Sequence, residues 1–272
     1  MQSILLCPDP FDTDAIIAEL WERGTSGIIE EVQGLRAFFE DTIDLSPILA
    51  LYPHIAVEIR HENSSESSNF SRQGWDPILV GRSFFIAPSW VDQPTPAGRL
   101  RLTMDGTNAF GSGRHESTQL VLEALEQYLK PDGIVLDIGC GSGILSQAAA
   151  LLGATHIFSC DIHPDSIGST RSQPRSAAFL GSADAIRSHI GDLVLVNISA
   201  RVLEALASEL RRIAKPGALL ILAGFIRDDP PKGFTPEKVF DSGDWCCWLC
   251  RPEGIAAREQ TIPLQPYSAQ WW

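Results

Sequence analysis

Apolar runs recur through the second half of the chain and alternate with longer segments of helical periodicity. Amphipathic periodicity predicts helices over 117–129, 144–152 and 200–214. The apolar runs predict strands at 134–138, 155–160, 177–181, 192–197 and 218–224, followed by an antiparallel edge pair near 236–240 and 245–250. This alternation predicts an α/β fold with a doubly wound, Rossmann-like sheet, whose ligands bind at the carboxyl ends of its strands.

The first 60 residues follow a different order. Short alternating runs predict strands, and two segments with apolar residues on one face predict helices, in the order βαββαβ. The predicted strands cover 3–7, 27–32, 35–40 and 55–60, and the predicted helices cover 12–22 and 45–51. This order is typical of a small ferredoxin-like α+β domain.

A polar segment separates these two regions. Residues 61–74 are rich in Ser, Asn and Glu, which predicts a linker or an exposed loop, and short strands over 75–82 and 84–90 follow it. We therefore expect an α+β domain at 1–60, a linker with connecting strands at 61–98, and the ligand-binding α/β domain at 99–272.

The charge of the chain is acidic and uneven. The formal net charge is −13, and residues 1–62 hold twelve acidic residues and three arginines, a net charge of −9. This balance argues against nucleic acid as the main partner, because phosphates bind basic groups. It suits recognition of a basic protein by the first domain, or else it only keeps the protein soluble. With no apolar run of membrane-spanning length and no basic signal-peptide region, we expect a soluble, cytoplasmic protein.

Three of the six cysteines fall together in the predicted strand 245–250. Strand alternation places Cys246 and Cys250 on one face and Cys247 on the other. No further Cys or His pair lies nearby in sequence to complete four zinc ligands. We therefore predict structural cysteines and no metal site.

A glycine motif follows the predicted strand 134–138. Asp137 precedes Gly139, Gly141 and Gly143, and such glycines let the backbone turn sharply and approach a ligand closely. An acidic residue before three alternating glycines is typical of the nucleotide site of enzymes that use S-adenosylmethionine (SAM). Asp161 ends the next predicted strand, where its carboxylate accepts hydrogen bonds from both ribose hydroxyls of an adenosine, or else caps the helix that begins near Pro164.

Three further polar residues lie where the predicted sheet would bind a ligand. Asp184 follows the third strand, where its carboxylate accepts a hydrogen bond from the adenine amino group, or else caps a helix. Asn197 ends the fourth strand and either faces the methionine part of the cofactor and the substrate amine, or caps the helix 200–214. Thr118 follows the glycine-containing loop 109–117 and either contacts the cofactor carboxylate or caps the following helix.

The combination of these motifs, in this order, resembles the PrmA family of SAM-dependent methyltransferases. The resembling segments are AFGSGRHEST at 109–118, LDIGCGSGIL at 136–145, DIHP at 161–164 and VNISA at 196–200, with VGR at 80–82, IAPSW at 86–90 and WC at 245–246. The resemblance implies a class I methyltransferase fold and methylation of lysine side chains and the N-terminal amine of protein eleven of the large ribosomal subunit. It also implies that Thr118, Gly139, Asp161 and Asn197 contact SAM.

Methyl transfer to an amine is an in-line displacement at a sulfonium, so the enzyme has chiefly to align the two reactants. A free lysine with a pKa of about 10.4 is charged at neutral pH, and desolvation lowers this pKa. No single general base is apparent, so we assign Asn197 the catalytic role of positioning the amine. Three alternatives remain: a methyltransferase for another protein or a small amine, a silent SAM-binding module marked by the altered loop 109–118, and a dinucleotide-dependent oxidoreductase, which the early third glycine disfavours.

Overall fold

The computed structural model of the protein describes residues 2–7, 16–17, 20, 23, 25, 27–31, 34–39, 43–61, 76–104, 113–171 and 175–256. Within this part the chain forms two compact units, one built from residues 2–61 and the other from residues 76–256. Four predicted features lie wholly or mostly outside the described residues: the helix 12–22, the linker 61–74, residues 109–112 of the glycine-containing loop, and the tail after 256.

The first unit is a four-stranded antiparallel sheet with its core on one face. Its strands are β1 (Gln2–Cys7), β2 (Gly27–Glu31), β3 (Gly34–Phe39) and β4 (Ala56–His61), and the helix α1 (Ser46–Leu51) precedes β4. The strand order is β2-β3-β1-β4, and every neighbouring pair is antiparallel. A βαββαβ chain gives this order when each crossover passes over one strand. The buried residues include Ile4, Leu6, Leu35 and Ile48.

The second unit is built on a seven-stranded sheet. Five strands are parallel: β8 (Ile134–Ile138), β9 (His156–Asp161), β10 (Ser176–Leu180), β11 (Gly191–Asn197) and β12 (Ala214–Ile226). The edge is completed by β13 (Phe234–Ser242) and β14 (Trp245–Ile255), with β14 antiparallel to both of its neighbours. The strand order β10-β9-β8-β11-β12-β14-β13 reverses direction between β8 and β11. At this reversal, the carboxyl ends of two neighbouring strands open a crevice for a ligand.

Helices cover both faces of this sheet, as a doubly wound fold requires. Before β8 lies α2 (Glu116–Tyr128), α3 (Ile144–Leu151) follows β8, α4 (Pro164–Arg171) follows β9, and α5 (Ala200–Ile213) follows β11. Alternate residues of each strand enter different cores: Val135 packs with α2 and α3, whereas the next residue, Leu136, packs with α5. The predicted α/β fold is therefore confirmed. No helix within the described residues is long and apolar enough to cross a membrane.

A small three-stranded sheet belongs to the same unit. It consists of β5 (Ile78–Val80), β6 (Phe84–Pro88) and β7 (Leu100–Met104), and only the first two strands were predicted. Phe84, Ile86 and Leu102 are buried in the core that contains α2 and α3. Residues 76–98, which the sequence assigned to a connecting segment, therefore contribute to the core of the second unit.

The turn between β5 and β6 is held by one carboxylate of α2. Glu126 accepts hydrogen bonds from the backbone N–H groups of Arg82 (3.0 Å) and Ser83 (2.8 Å). A Cβ on Gly81, which has a φ of +52°, would lie 2.6 Å from Oε1 of Glu126. Glycine suits this position because its φ lies in the left-handed region, and a side chain there would displace the carboxylate that holds the turn.

Candidate active site

The glycine motif forms a tight turn at the carboxyl end of β8. Gly139, Gly141 and Gly143 have φ angles of +73°, +50° and +77°, in the left-handed region that favours glycine. The backbone N–H of Gly139 donates to the carbonyl of Cys160 at 2.9 Å, which fixes the turn against the end of β9. A Cβ on Gly143 would lie 2.7 Å from Oγ1 of Thr170 on α4. The turn places the half-buried backbone of Gly139 at the carboxyl ends of the strands, where ligands bind in this fold.

Asp161 joins the glycine turn to the helix that follows β9. Its Oδ2 accepts from the backbone N–H of Gly141 at 2.8 Å, and its Oδ1 accepts from that of His163 at 2.9 Å. The bond to His163 is an Asx turn directly before α4 and not a helix cap, because α4 begins at Pro164 and a cap bonds the N–H of the second or third helical residue. The bond to Gly141 fixes the carboxylate beside the glycine turn. Each carboxylate oxygen accepts more than one hydrogen bond, so both retain capacity for hydroxyl donors such as those of a ribose.

Asp137 is buried beneath the same turn. Its Oδ2 accepts a hydrogen bond from the hydroxyl of Ser146 at 2.5 Å, while its buried Oδ1 has no hydrogen-bond partner in the described part of the chain. The pKa of Asp137 is raised to about 6, mainly by burial and also by the charge of Asp161, while the hydrogen bond from Ser146 opposes the rise. A buried oxygen without a partner destabilises the protein, and a cationic or N–H group of a ligand would satisfy it. These residues therefore fit a ligand that carries an amine and ribose hydroxyls.

Asn197 and Thr118 meet across the sheet reversal, although they lie 79 positions apart in the chain. Nδ2 of Asn197, at the end of β11, donates to Oγ1 of Thr118 in the first turn of α2 at 3.1 Å. His115, rather than Thr118, caps this helix, since its Nδ1 accepts from the backbone N–H of Ser117 at 3.3 Å. Asn197 does not cap α5 either, because the N-cap residue of that helix is Ser199. The capping alternative is therefore excluded for both Thr118 and Asn197.

Asp184 lies at the far side of the site. It belongs to a short 3₁₀ turn, Ala183–Ala185, between β10 and β11, and its side chain is exposed. The N-cap position of this turn is Ser182. The turn is fixed from outside by Arg212 of α5, which donates to the backbone carbonyls of Ala183 (3.0 Å) and Ile186 (2.8 Å). Asp184 therefore lies beside the end of β10, on a loop that hydrogen bonds from α5 hold in place.

Sequence reasoning missed the residue that positions the loop after Asn197. Ile198 packs between two glycines: a Cβ on Gly139 would lie 2.8 Å from its Cγ2, and a Cβ on Gly224 would lie 2.7 Å from its backbone nitrogen. Gly224 has a φ of +94° at a register shift in β12. A glycine inside a predicted strand was the available signal, since it often marks a bulge or a close backbone approach.

The cysteines of β14 alternate as predicted. Cys247 packs in the core that contains α2, and Cys246 and Cys250 pack in the core that contains α5. Burial raises the pKa of the Cys250 thiol to about 12, so it is protonated at neutral pH. Within the described residues, no group of His, Cys, Asp and Glu side chains has the arrangement of a metal site.

The sequence profile of one protein family, ribosomal protein L11 methyltransferase (PrmA), matches residues 19–252. The chain belongs to this family. The match includes every predicted site residue, most of the second unit and the part of the first unit that follows β1, and it confirms the resemblance inferred from the motifs. By its family and its fold, the protein is a class I methyltransferase.

Individual relatives agree with this assignment. The chain is 31% identical to the ribosomal protein L11 methyltransferase of Synechococcus elongatus over 260 residues, covering 87% of this chain and 83% of the relative. It is 30% identical to that of Deinococcus radiodurans over 277 residues, covering 92% and 99%. A crystal structure of the ribosomal protein L11 methylase from Lactobacillus delbrueckii subsp. bulgaricus superposes with a TM-score of 0.58 at 28% identity, over 64% of this chain and 98% of that chain.

Proposed function

We propose that this protein transfers methyl groups from SAM to amines of ribosomal protein L11, at lysine side chains and the N-terminal amine. The observation that carries the proposal is the meeting of Asn197 and Thr118 beside the glycine turn, in a chain that belongs to the L11 methyltransferase family. When bound, SAM supplies a methyl group that its sulfonium has already activated.

Each cofactor group has a candidate partner in the site. Asp161 would accept from the ribose hydroxyls, because its carboxylate is held at the end of β9 by two backbone N–H groups. The unpartnered Oδ1 of Asp137 would accept from the amine of the methionine part. The turn formed by Gly139, Gly141 and Gly143 would place its backbone beside the ligand, because it lies at the carboxyl end of β8.

Asn197 would position the acceptor amine. Nδ2 of Asn197 donates to Thr118, which leaves the side-chain oxygen of Asn197 to accept a hydrogen bond from the amine. Such a contact orients a neutral amine toward the methyl group, and burial of the amine lowers its pKa toward that neutral form. Thr118 would fix the orientation of the amide, which otherwise rotates, and this would keep the oxygen toward the substrate.

The first unit would recognise the protein substrate. Residues 1–62 carry a net charge of −9, and Asp44 and Glu58 are exposed on the described part of this unit. Acidic surfaces attract basic proteins, and such attraction weakens with salt. We therefore expect the KM for L11 to rise with ionic strength while the KM for SAM stays constant. An unchanged KM for L11 between low and high salt would contradict this docking role.

The central experiment incubates the protein with methyl-labelled SAM and purified L11 from the same cell. The label is then located by mass spectrometry. We expect it on lysine side chains and on the N-terminal amine. A second reaction uses L11 whose amines have been blocked by acetylation, and this substrate should accept no label. Label on other ribosomal proteins but not on L11, or on no protein at all, would overturn the proposed substrate.

Two carboxylate variants separate cofactor binding from general effects on the sheet. Asp161→Asn changes the proposed ribose acceptor at the carboxyl end of β9. Asp192→Asn changes an exposed carboxylate at the amino end of β11, where it pairs with Lys215 at 2.7 Å. We expect Asp161→Asn to weaken binding of S-adenosylhomocysteine in calorimetry about tenfold or more. Asp192→Asn should bind this ligand as the wild type does.

A further inference from the structure

The half-buried guanidinium of Arg212, near the end of α5, donates hydrogen bonds to several groups of a neighbouring loop. Its Nη1 donates to the carbonyl of Ile186 at 2.8 Å and to Oγ of Ser188 at 3.0 Å, and its Nη2 donates to the carbonyls of Ala183 (3.0 Å) and Asp184 (3.3 Å). Glu209, one turn earlier on α5, accepts from Nε at 2.8 Å. One guanidinium therefore connects α5 to four groups of the segment 183–188, which we name the β10–β11 loop.

The β10–β11 loop is held by two buried residues, Ala183 and Ile186, which pack in the core that contains α5. Its 3₁₀ turn spans three residues, and Ser182 at its start makes no side-chain capping bond. The backbone of Arg212 adds a second attachment, because its carbonyl accepts from the N–H of His189 at 2.9 Å. The rigid guanidinium fork donates to several carbonyls at once, which the single ammonium of a lysine does less well. Asp184 lies between these two buried residues, and Arg212 fixes its backbone directly by donating to the carbonyls of Ala183, Asp184 and Ile186.

The place of Asp184 indicates which part of a cofactor it faces. Neighbouring strands lie about 4.8 Å apart, and β8, β9 and β10 are consecutive in the sheet. Asp137 is the last-but-one residue of β8, Asp161 is the last residue of β9, and Asp184 follows β10. A ligand with its amine over β8 and its ribose over β9 would therefore place its base over the end of β10, beside Asp184.

We infer that Arg212 is a positioning residue that makes the cofactor site selective for adenine, by holding Asp184 where it accepts from the exocyclic amino group of the base. This inference rests on the proposed use of SAM. A carboxylate accepts from an amino group and repels a carbonyl oxygen, so a base with oxygen at the same position is disfavoured. Arg212 itself contacts no part of the cofactor in this arrangement.

The test compares two ligands on the intact protein by calorimetry: S-adenosylhomocysteine, and S-inosylhomocysteine, which carries a carbonyl in place of the amino group. The wild type should bind the adenosine compound at least about tenfold more tightly. Arg212→Met should lose most of this preference, because it should weaken binding of the adenosine compound and leave binding of the inosine compound unchanged. Arg211→Met is the matched control, since the neighbouring arginine donates instead to the carbonyl of Ile255, and it should keep the preference.

Activity measurements and a conservative variant make the test specific. Arg212→Met should raise the KM for SAM with little change in kcat, and Arg212→Lys should restore part of the preference for adenine. Asp184→Asn should lose the preference as well, and the double variant Arg212→Met with Asp184→Asn should be no worse than either single variant, because both act through one contact. If Arg212→Met does not fold, Arg212→Lys and Asp184→Asn carry the comparison.

The outcomes separate this inference from the proposed function. A wild type that binds both ligands equally, or an Arg212 variant that weakens both ligands by the same factor, would overturn the positioning role while leaving SAM binding intact. A wild type that binds neither ligand would overturn the proposed cofactor itself.

Discussion

The close packing of Gly224 against Ile198 gives a sharp test of how the site is positioned. In Gly224→Ala, the new Cβ would lie 2.7 Å from both the carbonyl carbon and the nitrogen of Ile198. Real Cβ atoms do not approach backbone this closely, so the segment after Asn197 must move. The alanine must also adopt a φ of +94°. Left-handed backbone costs about 1–2 kcal/mol for a residue with a Cβ, and overpacking adds about 1–3 kcal/mol.

Gly217→Ala provides the matched control in the same strand. Gly217 has a φ of +72°, but a Cβ there would have no atom within 4 Å. Both variants therefore carry the left-handed penalty and the same reduction of unfolded-state entropy, and they differ in the contact with Ile198. We expect urea denaturation to give a loss of about 1 kcal/mol for Gly217→Ala and about 3 kcal/mol for Gly224→Ala.

The site should respond in the same order. Displacement of Ile198 moves Asn197, which would position the acceptor amine, so Gly224→Ala should lower kcat for methylation about tenfold, while Gly217→Ala should leave it unchanged. Equal losses of stability in the two variants would refute the steric reasoning. A destabilised Gly224→Ala protein with the kcat of the wild type would refute the claim that Ile198 positions Asn197.

Three further predictions concern single contacts. Removing the hydrogen bond between Asn197 and Thr118 with Thr118→Val should lower kcat about tenfold in the wild type, whereas the same change in an Asn197→Ala background should cost little, as a double-mutant cycle on methylation rates would reveal. The pKa of Asp137 is raised to about 6 in the folded protein, so between about pH 4 and pH 6 the folded state keeps a proton that the unfolded state has lost. The contribution of Asp137 to the free energy of unfolding therefore falls as the pH rises through this range. Urea unfolding should therefore show that Asp137→Asn gains about 1 kcal/mol relative to the wild type between pH 5 and pH 7, and a constant difference would contradict the raised pKa. Glu126→Gln should lower the free energy of unfolding by about 1–2 kcal/mol through its weaker bonds to the turn 81–83, without changing ligand affinity in calorimetry.

Much of the second unit could be predicted from the sequence, because its elements are encoded by local periodicity. The predicted strand 134–138 has the bounds of β8, and the predicted strand 192–197 differs from β11 by one residue. Alternation alone placed Cys247 on the opposite face from its neighbours. The start of β12 was predicted four residues late, since Pro216 and Gly217 are typical of a helix stop, whereas here they lie in the irregular start of the strand.

The sequence by itself determined which residues stand at strand ends, and therefore which polar groups face the crevice. Asp137, Asp161 and Asn197 follow from this rule, because the carboxyl ends of parallel strands share one edge of the sheet. Only the tertiary structure decided what each of them contacts. The hydrogen bond between Asn197 and Thr118 joins residues 79 positions apart in the chain. The contacts of Ile198 with Gly139 and Gly224 bring together segments from three separate strands. Such pairings depend on how helices pack and how close backbones approach, and no local pattern of hydrophobic and polar residues encodes these distances.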